Sequence, residues 1–211
     1  MRSRQWFEEF EKHLMKDERP SVYFNAMMDG GLFPTHHPFG WLYKLRGLPQ
    51  RADYHPEGDV WAHTMLVVDN AAKSREQSKD ARALMWAALL HDIGKQATFC
   101  IRKGRVTAYD HDKEGAPMAE AFLRECGCGP PLVSRVAVLV RWHMQALFIV
   151  KDLPFADLEG MAAQADTDEL ALLVLADRLG RGQTKREEIE AEKQNVRIFV
   201  EKSSAYIAGR K

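Results

Sequence analysis

Apolar residues recur three, four and seven positions apart along most of this chain, a spacing that predicts helices. Trp6, Phe7, Phe10 and Leu14 form one such stripe, and a second short helix runs through Tyr23 and Met27 to stop at Gly30-Gly31. A proline-bearing loop follows from Pro34 to Pro38. Another short helix near Trp41 to Leu45 ends at Gly47, and Pro49 to Gly58 reads as an extended connector without periodicity. Asp59 is suited to cap a helix from Val60 to about Lys73, and Asp80 one that runs through His91. Further helices are expected at about Lys113 to Glu125, Leu132 to Leu147, Phe155 to Gln164, Asp168 to Leu179 and Lys185 to Ile207, with Pro130-Pro131 and Pro154 marking starts. Phe99 to Tyr109, centred on Lys103-Gly104, reads as one small hairpin. The pattern therefore predicts an all-α bundle in which a helical lead-in, residues 1–50, packs on a main domain, residues 51–211, as one compact unit.

Composition narrows the function classes. The 211 residues carry 30 basic and 30 acidic side chains, so no global field recruits nucleic acid or an anionic membrane, and any anion site is local. Cys100, Cys126 and Cys128 are an odd, sparse set that fits a cytosolic enzyme with reduced thiols. Cys126-Gly127-Cys128 lacks zinc-site spacing and is assigned a structural role. The first ten residues alternate charge with aromatics and hold no apolar signal core, and no run approaches the ~20 apolar residues of a membrane span. A soluble, cytoplasmic protein is expected. Ile189, Val196 and Phe199 line an otherwise Glu/Lys-rich stretch, which suits a covering helix or an oligomer contact.

Candidate chemistry centres on His91-Asp92, at the end of the apolar stretch Leu84 to Leu90. An imidazole and a carboxylate side by side suit borderline divalent ions, and the second carboxylate oxygen can bridge to a neighbouring ion. Four further metal-competent residues stand at His63, His111, His143 and Asp177. His91 lies on the face of Leu84, Ala87 and Ala88; His143 on that of Val136, Leu139 and Val140; His63 on that of Val60 and Val67; Asp177 follows Leu170, Leu173 and Val174. One histidine on an apolar face is ordinarily a hydrogen-bonded core residue. A carboxylate there costs several kcal/mol unless it is paired or bound to a cation, and four such residues on four helices point to a common interior. His111 precedes a helix and alone would read as a loop or capping residue. His13, His36-His37 and His55 are read as surface histidines without a role.

Trp61-Ala62-His63-Thr64, His91-Asp92-Ile93-Gly94-Lys95 and Asp177 resemble the HD-domain metal-dependent phosphohydrolases. The resemblance implies that His63, His91, Asp92 and Asp177 hold one divalent ion, and Asp92, His111 and His143 a second; with one ion, His111 and His143 would contact substrate. Gly47-Leu48-Pro49-Gln50, His55-Pro56-Glu57-Gly58-Asp59-Val60-Trp61, Gly115-Ala116 and Ala176-Asp177-Arg178-Leu179-Gly180-Arg181 look more closely like the HD portion of bacterial CCA-adding tRNA nucleotidyltransferases, over roughly Glu8 to Gly182. No glycine-rich strand-turn with paired aspartates, as in the polymerase head of those enzymes, precedes the motifs. CCA addition is therefore not expected.

The metal could be Mn, Ni, Co, Fe, Mg or Zn, one or two ions per chain. Ions sharing Asp92 would generate a hydroxide nucleophile at neutral pH, which makes Asp92 the central catalytic group. Lys95, three after Asp92, and Arg181, four after Asp177, could neutralise phosphate oxygens, whereas Arg178 points aside or pairs with an acid. Arg102, Lys103 and Arg105 at the hairpin read as a solvated turn. The leading expectation is hydrolysis of nucleotide-like phosphate monoesters or 2′,3′-cyclic phosphodiesters, a substrate class that rests on the resemblance. The rival classes are a non-catalytic RNA- or nucleotide-binding module, which the neutral charge disfavours, and a di-iron oxygenase using the same ligands.

Overall fold

The computed structural model describes residues 2–182 and 185–209 and is largely helical. The stripe forms the expected helix, α1 (Arg2–Lys16), with Trp6 half-buried and the rest buried: Phe7 stacks on Trp86 with ring centroids 4.4 Å apart, and Phe10 sits edge-on to Phe24 and Phe39. Phe24 belongs to α2 (Pro20–Asp29), and the short α3 (Gly40–Tyr43) buries Leu42. Both predicted caps are in place. Asp59 accepts from the Ala62 amide at 2.8 Å to start α4 (Val60–Lys73), and Asp80 from the Ala83 amide at 3.1 Å to start α5 (Ala81–Leu90).

From Ala83 to Leu90 every residue of α5 is buried, which makes it the central helix. Each of its fully buried leucines contributes about 1.5–3 kcal/mol relative to exposure. The helix stops one residue before His91 and does not run through it; His91 to Gly94 form a turn that leads into α6 (Lys95–Thr98). Next come β1 (Cys100–Arg102) and β2 (Arg105–Thr107), paired antiparallel with Cys100 opposite Thr107. Lys103 and Gly104 turn between them at φ 51° and 73°, the left-handed pair that a two-residue hairpin needs.

The remaining helices are α7 (His111–Glu125), α8 (Pro130–Trp142), α9 (Gln145–Val150), α10 (Leu158–Gln164), α11 (Thr167–Leu179) and α12 (Arg186–Ala208). Around α5 pack α4, α8, α11 and α1, while α7 packs on α8. Three boundaries differ from expectation. His111 is the first residue of α7 and does not precede it, because Asp110 turns the chain at φ 58° just before. The single helix expected from Leu132 to Leu147 is broken at His143-Met144. The helix expected from Phe155 starts at Leu158, capped by Asp157, whose carboxylate accepts from the Gly160 amide at 2.8 Å.

Pro130–Val150, 21 residues, has the length and apolar composition of a membrane span, contrary to the expectation that no run approaches one. Half of it is buried inside the protein, and its middle is the turn that carries His143, as suits a core element. Packed on α11, α9 and α10, α12 buries Phe199, the covering helix that its apolar line predicts. Cys126 is buried, and burial pushes its thiol up to about 12, the state of an inert packing residue.

Candidate metal centre

Five helix ends meet at one point. His63 stands in the first turn of α4, His91-Asp92 follow α5, His111 begins α7, His143 follows α8 and Asp177 lies in the last turn of α11. All six residues are buried. The ligand atoms of His63, His91 and Asp92 lie within 4.8 Å of one another, as do those of Asp92, His111 and His143. Asp177 joins through His63: its Oδ1 is 3.0 Å from His63 Nε2.

Each imidazole is oriented through its Nδ1. His91 Nδ1 donates to the Ala88 carbonyl at 2.9 Å, His143 Nδ1 to that of Val140 at 2.7 Å and His111 Nδ1 to that of Ala108 at 2.8 Å, in every case three residues back. His63 Nδ1 lies 3.1 Å from the Gly180 carbonyl and 2.8 Å from Glu57 Oε1. Anchoring at Nδ1 fixes the tautomer of His91, His111 and His143 and turns their Nε2 lone pairs inward, the arrangement that metal-ligating histidines require, while His63 Nε2 faces Asp177. Asp92 divides between the two groups. Its Oδ2 is 3.3 Å from His91 Nε2 and 3.7 Å from His63 Nε2, and its Oδ1 is 3.3 Å from His111 Nε2.

Three features of this donor set fit divalent ions. Among the described residues His91 Nε2 is buried without a hydrogen-bond partner, and Asp92 Oδ2 lacks a well-aligned one although the Lys95 ammonium stands 2.7 Å away. His111 and His143 bring their Nε2 atoms to 3.2 Å, lone pair against lone pair once both Nδ1 protons are engaged. An unpaired buried polar atom costs about 1–3 kcal/mol, which a cation between these atoms would relieve. Burial also holds the pair neutral: it pushes His143 down to about 4, helped by the neighbouring His111 and His91, and lowers His111 against the pull of Asp92. Neutral imidazoles beside ionised carboxylates suit borderline divalent metals.

The carboxylates keep their charge despite burial. Lys95, His91 and His111 hold Asp92 well below the usual range, and His63 and Arg181 do the same for Asp177. His63 rises to about 9, since Asp177 and Glu57 outweigh its burial. Lys95 places Nζ 2.7 Å from Asp92 Oδ2 and donates to Gln50 Oε1 at 2.6 Å. It gets there by the turn at His91 to Gly94, not by continuation of α5. The turn itself depends on Gly94: a Cβ there would stand 2.2 Å from the His111 carbonyl oxygen and 2.6 Å from the Gly115 nitrogen. The missing side chains let the start of α7, with His111, close against the His91-Asp92 turn.

Two residues that sequence reasoning passed over complete the setting. The side chain of Glu57 is almost fully buried and holds Oε1 2.8 Å from Nδ1 of both His55 and His63. Those contacts overcome burial and hold its carboxyl at about 2. His55, read as a surface histidine, is half-buried against the His63 ring with centroids 4.9 Å apart. His13 is not free on the surface either; it stacks on Tyr23, far from the cluster in sequence and packing.

Above the cluster opens a pocket of about 260 Å³, with Asp92, His111, His143 and Asp177 at its floor and Lys95 and Arg181 on its wall. Arg181 Nε is buried without a partner among the described residues, whereas Arg178 turns away to Glu192, with its Nε and Nη2 at 2.9 and 2.8 Å from that carboxylate. Arg102, Lys103 and Arg105 are exposed on the hairpin.

The HD domain family model matches residues 60–182, more than half of the chain. Curated relatives carry the description Multifunctional CCA protein. Those of Mannheimia succiniciproducens (40% identical over 93 residues, 44% of this chain and 22% of the relative) and Ralstonia nicotianae (40% over 108 residues, 51% and 23%) are two. A third, from Alkalilimnicola ehrlichii, is 32% identical over 140 residues, 66% of this chain and 32% of the relative. The chain thus matches between 22% and 32% of the length of these relatives.

Proposed function

The chain belongs to the HD domain family, which indicates a metal-dependent phosphohydrolase, and we propose that it hydrolyses nucleotide-like phosphate monoesters or 2′,3′-cyclic phosphodiesters. The observation that carries this reading is the division of Asp92 between two sets of inward-facing Nε2 atoms. His63, His91, Asp92 and Asp177 would hold one divalent ion and Asp92, His111 and His143 a second. Bound there, such ions supply Lewis acidity toward a phosphate and an activated water. The chain does the rest. Main-chain carbonyls and Glu57 keep the imidazoles aimed, Lys95 and Arg181 neutralise phosphate oxygens at the wall, and the apolar helix faces exclude bulk water. Likeness to Multifunctional CCA proteins over 93 to 140 residues supports a nucleotide-like substrate, and three free cysteines are compatible with the cytoplasm.

The test is phosphate release from nucleoside monophosphates and 2′,3′-cyclic nucleotides with Mn, Ni, Co or Mg, set against an Asp92→Ala variant and chelated protein. Losing several kcal/mol of charge stabilisation should cost the variant at least ~1,000-fold. Elemental analysis should give two metal equivalents for the native chain. Equal activity in Asp92→Ala sinks the proposal. RNA binding that survives chelation, with no turnover of any ester, would assign the chain to the binding-module class instead.

A further inference from the structure

Two of the largest exposed aromatic side chains stand on the same pocket. Tyr54, in the connector before α4, is 52% exposed, and Tyr109, just after the hairpin, is 65% exposed; both line the opening above the metal cluster. Arg51 lies over the Tyr54 ring, its guanidinium carbon 4.6 Å from the centroid, and Arg102 lies 5.5 Å from the centroid of Tyr109. Each ring has a cation near it and leaves half or more of its surface in water at the pocket. The same lining holds the buried cluster residues, the charged Lys95 and Arg181, and the apolar Leu48, Phe99 and Val106. A volume of about 260 Å³ is at the small end for a ligand site, enough for a phosphate and a sugar with a flat ring left at the rim.

We infer that Tyr54 and Tyr109 form a stacking clamp for a nucleobase whose ribose phosphate points to Lys95, Arg181 and the cluster. The inference rests on the phosphohydrolase reading and deepens it: base recognition is by stacking, so the site takes nucleotides over sugar phosphates but tolerates different bases. The same chemistry, a base joined through ribose to a terminal phosphate, occurs in a free mononucleotide and at an RNA end. A pocket this small that opens at the tyrosines accommodates either.

The experiment compares AMP, 2′,3′-cyclic AMP, a short RNA ending in 2′,3′-cyclic phosphate, and ribose 5-phosphate, on the native chain and on Tyr54→Ala, Tyr54→Phe and Tyr109→Ala, with thermal melts to check folding. Each alanine variant should raise KM for the nucleotides by roughly 5- to 150-fold more than for ribose 5-phosphate, the span expected for one base–aromatic stack, and Tyr54→Phe should restore it. Equal losses on nucleotide and sugar phosphate overturn the clamp, as does no loss at all. Comparing KM for AMP, cyclic AMP and the RNA identifies the source of the nucleotide. A second measurement separates this inference from the phosphohydrolase reading: AMP titrated by calorimetry into metal-free protein. Tyrosine-dependent AMP binding without turnover would uphold the clamp and reject hydrolysis; turnover with tyrosine-independent binding would do the reverse. Neither binding nor turnover rejects both.

Discussion

In the metal cradle no ligand candidate is more than 8% exposed, and a main-chain carbonyl three residues back anchors three of its four imidazoles. At the mouth of the same pocket, Tyr54 and Tyr109 stand in solvent on a connector and a hairpin edge, held by stacked arginines. The cradle is specified by helix packing, so its geometry is rigid and a small steric change there is expensive. The mouth is specified by loops, so it can vary in what it recognises without loss of fold. On the proposed function, this division would separate metal chemistry from substrate choice within one pocket, and it predicts that substitutions in the two regions fail differently.

The sharpest break is at Gly94. In a Gly94→Ala variant the new Cβ would meet the His111 carbonyl and the Gly115 nitrogen, main-chain atoms that cannot swing aside. The start of α7 must retreat, and His111 with it. The substitution should cost roughly 3 kcal/mol in urea unfolding, at the upper end for overpacking. Metal analysis of whatever folds should show one equivalent lost, that of the His111 and His143 side. Native stability with two equivalents would mean that the close contact does not set the cradle.

Glu57 tests the boundary, because it comes from the loop region yet reaches the cradle through His63 Nδ1. Glu57→Gln keeps the shape but weakens the anchor, and partners of this kind are worth about 10- to 100-fold in metal affinity. Competition with a chromogenic chelator reads the change directly, and the melting curve of the metal-free chain should move far less. Unchanged affinity would return Glu57 to a structural role.

How much of this was legible in the sequence follows the same division. His63, His91, His143 and Asp177 stood out because each is polar on an apolar helical face, a violation that periodicity exposes. His111 showed less, since a helix's first residue has no established face, and the left-handed Asp110 that sets it there leaves no periodic trace. Glu57 and His55 lie in an aperiodic segment after Pro49, where no face exists to be violated; only the run His55 to Trp61 marked them. Residues Leu132 to Leu147 are largely apolar, so periodicity joined α8 and α9 across the turn that frees His143. The contact between Gly94 and Gly115 joins residues from different elements and becomes visible only in three dimensions.

The smallest effect concerns how α11 presents Asp177. The next residue, Arg178, faces the other way and grips Glu192 of α12 through two hydrogen bonds, so α12 braces α11 from outside the cradle. Burial opposes the Glu192 charge, but Arg178 and Asn195 outweigh it and hold the carboxyl below its ordinary value. A carboxylate depressed in the folded chain adds stability above its unfolded pKa, roughly 4.3, and loses that contribution as pH falls through the lower folded value. Glu192→Gln should therefore cost on the order of 1 kcal/mol at pH 7 and progressively less below about pH 4. Subtracting the variant's melting profile from the native one cancels the other acids and isolates this pair. A difference that stays constant from pH 7 down to pH 3 would show that the charge of Glu192 does not carry the brace.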